Sequence, residues 1–154
     1  TDPLGLVREI AYRKVQGVVL FNRFYPVDID IEHMTFRAGD IFSRSAELSN
    51  VLRWTALVDA HVPQIDVAAS TGVHTGEDVV KALLAGASAV QVASVLYEKG
   101  PAAVTAMNAF LNRWMERRGF DAVARFAGRM NARRIADPEL YERTQFMKYF
   151  SEHE

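Results

Sequence analysis

The chain has no cysteine, which excludes disulfides and thiolate metal sites and fits a reducing compartment, so a cytoplasmic protein is expected. It has no apolar run approaching the roughly 20 residues that span a membrane. The first residues, TDPLGLVREI, set acids among apolar side chains and do not read as a secretory signal. Net charge is nearly absent, formally -1 at pH 7, so bulk electrostatics draws neither nucleic acid nor a membrane surface. His33, His61, His74 and His153 do not pair at metal-ligand spacing, and no metal site is expected. Fixed-period repeats and low-complexity segments are missing too. What is present is 49% hydrophobic residues in a chain of 154, enough for one domain with a core.

Those apolar residues alternate between helical and strand patterns. Asp2-Pro3 reads as a helix start. Leu4, Val7, Ala11 and Val15 recur at helical spacing, and Gly17 reads as the stop. GVVLFN then reads as a strand buried on both faces. Arg23 to Asp40 is irregular, with Pro26 and an alternating IDIDIE, and reads as a long loop holding a small hairpin arm. A helix follows over about Ser45 to Ala60, with Leu48, Leu52 and Leu57 on its apolar side, and then strand QIDVAAS. Thr75 caps the next helix, with Glu77 and Asp78 in its first turn and Gly86 at its end. Val79, Val80, Leu83 and Leu84 face inward. Strand SAVQVAS comes next, again read as fully buried. Gly100-Pro101 opens a longer helix with Val104, Met107, Leu111, Trp114 and Met115 on one stripe, ended by Gly119. Asp121 starts a short helix to about Gly128, and Asp137-Pro138 starts a last one carrying Leu140, Phe146 and Tyr149.

Buried strands separated by helices imply a parallel sheet of right-handed crossovers. Such sheets bind ligands beyond the carboxyl ends of their strands. The ends here are Asn22, Ser70-Thr71-Gly72 and Ala93-Ser94. Small residues there leave backbone amides open to an anion. Thr71, Gly72 and Val73 form one set of donors, and Ala93 and Ser94 another. A tight strand-to-helix turn that needs glycine and a cap accounts for the same residues.

ASTGVHTGEDVVKALLAGASAVQVASVLYEKGP resembles the last two strands of the dihydroorotate dehydrogenase family. GVVLFNRFYPVDIDIE, the GF at 119–120 and ADPELYER at 136–143 resemble its bacterial dihydroorotate dehydrogenase-like subgroup. The resemblance implies an α/β fold, the C-terminal half of a (β/α)8 TIM barrel. Parallel strands 6–8 with their helices would occupy residues 1–118, and residues 119–154 would be a helical extension on the same domain. It implies FMN as cofactor, with the phosphate at Thr71, Gly72 and Val73, where Thr71 replaces a family glycine, and at Ala93-Ser94, which replaces Gly-Thr. Ser43 falls on another flavin-contacting loop. Asn22 matches an asparagine that binds the pyrimidine substrate, its amide able to donate and accept. Arg23 departs from the usual Ser or Thr beside it. The catalytic base, a Ser or Cys on a mobile loop, is expected upstream of Thr1, so no catalytic residue is assigned in this chain.

A full barrel needs eight strands and about 250 residues. The expectation is therefore part of an FMN-dependent oxidoreductase of pyrimidine metabolism, inactive alone, that assembles with the missing half-barrel or with a second copy. Its open sheet edges and its inner face would otherwise meet water. The alternatives are a non-catalytic half-barrel that oligomerises and binds a phosphate ligand, and a structural remnant without a ligand. Of the other features, His74 reads as a solvated loop histidine, and Asp28, Asp30 and Glu32 as a solvated strand edge. The seven arginines from Arg113 to Arg134 read as a solvated helical surface, and Tyr141, Phe146, Tyr149 and Phe150 as packing. No Ser-His-Asp arrangement suggests a hydrolase.

Overall fold

The computed structural model describes residues 3–24 and 26–142. Asp2, Phe146, Tyr149, Phe150 and His153 lie outside them, so the readings made on those residues do too.

The β-branched run Gly17–Leu20 forms β1, the chain Asp66–Ala69 forms β4, and Ala89–Val90 forms β5. They lie in the order β1-β4-β5, all parallel, with Leu20 opposite Ala69 and Ala69 opposite Val90. Helices α1 (Pro3–Tyr12), α2 (Leu48–His61) and α3 (Gly76–Ala85) connect and cover the strands. Then come α4 (Ser94–Lys99), α5 (Ala102–Arg118) and α6 (Glu139–Glu142). The neighbouring order of chain-separated parallel strands follows from helical crossovers between them.

Two expectations about the strands change. They are not buried on both faces. Leu20, Val67 and Ala69 turn inward onto Val7, Val58, Val51 and Leu48, whereas Gly17, Ala89 and Gln91 on the sheet are exposed and Val19 is 46% exposed. Helices cover one face only, so each strand alternates instead of being apolar throughout. The third strand is also shorter than SAVQVAS. After Gln91 N–H bonds the carbonyl of Ala69, the chain leaves the ladder and turns into α4, which the sequence reading did not separate from the strand.

Helix ends follow capping chemistry. Thr75 Oγ1 accepts from Asp78 N–H while the Asp78 carboxylate accepts from Thr75 N–H, a reciprocal cap for α3. Gly86 closes α3 at φ 118, where an added Cβ would lie 2.3 Å from Asp59 Cγ. Helix α1, by contrast, does not run to Gly17. It ends at Tyr12, Lys14 turns the chain at φ 61, Val15 is 45% exposed, and Gly17 is the first residue of β1. Helix α2 is entered through a 3₁₀ turn at Ser45–Glu47.

The expected helix over 121–128 is only a 3₁₀ turn at Val123–Arg125. Competition explains this. Gly128 N–H and Met130 N–H bond the carbonyls of Leu83 and Leu84 in the last turn of α3, Leu83 sharing its oxygen between Gly128 and the capping N–H of Gly86. Phe126, fully buried, packs its ring 4.9 Å from Trp114 and 5.3 Å from Phe120. On α5 the expected stripe is weaker than read: Met107 is buried but Val104 is 37% exposed.

The irregular segment after β1 does hold a hairpin, β2 (Val27–Asp30) antiparallel to β3 (Thr35–Ala38). Its acids are used locally. Asp28 accepts from Arg37 Nε at 2.6 Å, and Asp30 accepts the backbone N–H of Glu32 and of His33 in the turn. The Arg37 bond, the largest cause, holds the Asp28 carboxyl below its usual range, and His33 does the same for Asp30.

Candidate functional site

The carboxyl ends of β1, β4 and β5 point the same way because the strands are parallel, and the loops that leave them enclose a cavity of about 230 Å³. Asn22, Ser43, Thr71, Gly72, Val73, Ala93 and Ser94 all line it. A wider, more apolar cleft of about 480 Å³ adjoins it, sharing Asn22, Arg23 and Thr71 and adding Phe21, Phe24 and Val51.

The turn after β4 is built under constraint. Thr71 sits at φ 81 and Gly72 at φ 79. A β-branched residue in that region is strained. Thr71 is held there by its hydroxyl, which donates to the carbonyl of Phe21 at 2.8 Å. That bond draws the side chain toward the end of β1. Gly72 is required for a reason other than ligand access: a Cβ would lie 2.4 Å from the backbone nitrogen of Leu48, where α2 begins.

Asn22 Oδ1 accepts from the backbone N–H of Arg23 at 3.0 Å, so its acceptor is engaged and its amide NH2 is the group left to donate. Arg23 spans the loop above. Its Nε donates to Glu47 at 2.8 Å, and its Nη1 donates to the carbonyls of Ile41, at 2.8 Å, and Asp40. Burial pushes the Glu47 carboxyl up, but the Arg44 N–H and the Arg23 guanidinium outweigh it and hold the group below its ordinary value.

Ser43 joins the two sides of the cavity. Its N–H donates to Ser94 Oγ at 2.8 Å, and the two hydroxyls lie 3.0 Å apart. Behind them, His74 Nε2 is 3.2 Å from Ser43 Oγ and His74 Nδ1 is 3.5 Å from Glu98 Oε2. The His74 side chain is only 10% exposed. It is therefore not a solvated loop histidine, and Ser43, His74 and Glu98 do form a serine–histidine–acid chain. Sequence reading missed it because the three residues are 31 and 24 positions apart and meet only across β4 and α4. The VHTG turn at 73–76, a histidine one residue before a helix cap, is the available signal.

The backbone N–H groups of Thr71, Gly72, Val73, Ala93 and Ser94 have no hydrogen-bond acceptor among the described residues. Gly72 and Val73 are buried. Buried donors normally have a partner, so a cluster of open ones beside a cavity suits an acceptor-only ligand. The nearby carboxylates of Glu47 and Glu98 face Arg23 and His74, leaving donors to dominate the wall.

Residues 44–115 match the family model described as dihydroorotate dehydrogenase. Dihydroorotate dehydrogenase A (fumarate) of Lactococcus lactis subsp. lactis is 28% identical over 94 residues, 61% of this chain and 29% of that protein. Dihydroorotate dehydrogenase (fumarate) of Trypanosoma cruzi is 42% identical over 59 residues, 38% of this chain and 19% of that protein. The crystal structure of ligand-free type dihydroorotate dehydrogenase from Eimeria tenella has a similar fold, with a TM-score of 0.65 and 20% identity over 83% of this chain and 36% of that one. The matched stretch thus spans less than a third of these curated relatives.

Proposed function

We propose, for a chain whose residues 44–115 match the dihydroorotate dehydrogenase family model, that the cavity at its strand ends is the phosphate cradle of an FMN-dependent oxidoreductase. In this reading the chain is the C-terminal part of a (β/α)8 barrel, with β1, β4 and β5 as its last three barrel strands. The observation that carries the proposal is the set of unpartnered amides at Thr71, Gly72, Val73, Ala93 and Ser94 around one cavity. A phosphate offers acceptors to all of them.

Bound FMN would supply the hydride acceptor for oxidising the carbon–carbon bond of a dihydropyrimidine such as dihydroorotate. This chain's own residues bind and orient. The amides and the Ser94 hydroxyl hold the phosphate, and Ser43 ties the 40–44 loop to that wall. Asn22, with its Oδ1 accepting from Arg23 N–H, presents NH2 to a carbonyl oxygen on the substrate's ring. Phe21, Phe24 and Val51 of the adjoining cleft exclude water beside it. The group that takes the substrate proton is not assigned to a residue of this chain, which is expected to hold cofactor without oxidising dihydroorotate by itself.

Titrating FMN into the purified chain tests the reading. Quenching of flavin fluorescence at micromolar concentration, weakened about tenfold by Ser94→Ala, is expected. Absence of quenching at any concentration up to millimolar would refute it, and dihydroorotate oxidation by the chain would overturn the expected inactivity.

The open sheet face favours a second reading, a non-catalytic half-barrel that oligomerises and binds a phosphate ligand. Val19 and Ala89 are exposed where a closed barrel would cover them. Both readings place a second copy or the remaining half-barrel against that face. A monodisperse monomer by light scattering at micromolar concentration would count against such assembly.

A further inference from the structure

We infer that His74 is a positioning residue that sets the direction of a hydroxyl relay, His74 to Ser43 to Ser94, and so makes phosphate binding in this cavity pH-dependent. The inference rests on the phosphate reading above and goes beyond it, because His74 does not itself line the cavity.

The donor count around Ser94 decides the matter. Ser94 Oγ accepts from Ser43 N–H at 2.8 Å and lies 3.0 Å from Ser43 Oγ. When His74 carries both ring protons, Nδ1–H is directed at Glu98 and Nε2–H donates to Ser43 Oγ across 3.2 Å. The Ser43 hydroxyl must then donate to Ser94 Oγ. With two donors arriving, the Ser94 hydroxyl has its own proton left for the cavity, where an acceptor-only phosphate oxygen takes it.

When His74 is neutral with its proton on Nδ1, toward Glu98, Nε2 becomes an acceptor. The Ser43 hydroxyl turns to it, and Ser94 Oγ, left with the Ser43 N–H as its donor, gains Ser43 Oγ as an acceptor that competes with the ligand for its proton. Whenever that proton goes to Ser43, the cavity meets the lone pairs of Ser94 Oγ, which repel a phosphate, so binding is weaker than when His74 is charged.

The charged groups that face His74 come from three elements. Glu98 of α4 lies 3.5 Å from Nδ1. Asp78 of α3 accepts the backbone N–H of His74 at 3.0 Å and caps α3 with its remaining capacity. Glu47 of the 3₁₀ turn feels the His74 charge but is paired with Arg23. Glu98 is therefore the acid that orients the ring.

The test measures the FMN dissociation constant by fluorescence quenching at pH 5.5 and pH 8.5 for the full chain, for His74→Gln and for Ser43→Ala. Glutamine keeps a permanent donor near the position of Nε2, so it holds the relay in one direction. Phosphate ionisation is common to all three proteins and cancels in the comparison. The weakening of wild-type binding from pH 5.5 to pH 8.5 is expected to be about tenfold greater than that of His74→Gln, with Ser43→Ala also unresponsive. Riboflavin, which lacks the phosphate, should show no such difference. Equal responses in wild type and both variants would overturn the relay while leaving the phosphate reading in place. No quenching of FMN by the wild type would remove the phosphate reading and the relay with it.

Discussion

Replacing Gly72 with alanine tests the packing that holds the candidate site in shape. Two penalties add. At φ 79 an alanine meets its own backbone, at about 1–2 kcal/mol. Its Cβ would also sit 2.4 Å from Leu48 N and 2.9 Å from Leu48 Cα, so backbone at the start of α2 has to move. Overpacking of that kind costs about 1–3 kcal/mol. The expected loss is about 2–5 kcal/mol, a large share of the roughly 5–15 kcal/mol that stabilises a domain. Gly119→Ala is the control. Gly119 has φ 70 and ψ 28, a left-handed helix cap, but nothing lies within 4 Å of the added Cβ. It should lose about 1–2 kcal/mol from the backbone alone. Urea unfolding followed by circular dichroism measures both. A Gly72→Ala loss no larger than that of Gly119→Ala would refute the close approach of the turn to Leu48. The same geometry means that any side chain placed at Gly72 disturbs folding as well as binding, so Ser94→Ala is the cleaner probe of the ligand.

Phe126→Ala removes a fully buried ring packed against Trp114 and Phe120, and should destabilise by about 3–5 kcal/mol in the same urea assay. A loss under about 1 kcal/mol would show that the 119–128 segment is not anchored through this ring. Glu47 supplies a pH dependence. Its folded-state value lies below its ordinary 4.5, so the stabilisation is present above that value and is lost as pH falls through the folded one. Glu47→Gln should therefore flatten the acid-side decline in melting temperature below the usual glutamate range. An unchanged decline would mean that the Arg44 and Arg23 contacts contribute nothing in solution.

Much of this protein is local chemistry and is readable along the chain. Thr75 and Asp78 are three residues apart and cap α3 reciprocally, while Gly86 and Gly119 end helices in left-handed turns, because capping acts within a few positions. Strand–helix alternation specifies a parallel sheet, and a parallel sheet aligns the carboxyl ends of its strands, so Asn22, Thr71, Gly72, Ala93 and Ser94 come to one cavity. What the order of residues does not carry is competition between distant groups. The segment after Asp121 has helical spacing, yet the Gly128 N–H at its end bonds Leu83 and the Met130 N–H beyond it bonds Leu84. Apolar strands read as doubly buried, yet helices reach only one face, leaving Val19 exposed. Gly72 looks like an opening for a ligand, yet Leu48 is what fills the space beside it. His74 looks like a loop histidine until Ser43 and Glu98 close around it from two other elements. Caps such as Thr75 with Asp78 depend on neighbours in the chain, and the sequence alone settles them. Burial, and the partner a polar atom finally takes, depend on which elements pack together, and only the folded structure decides those.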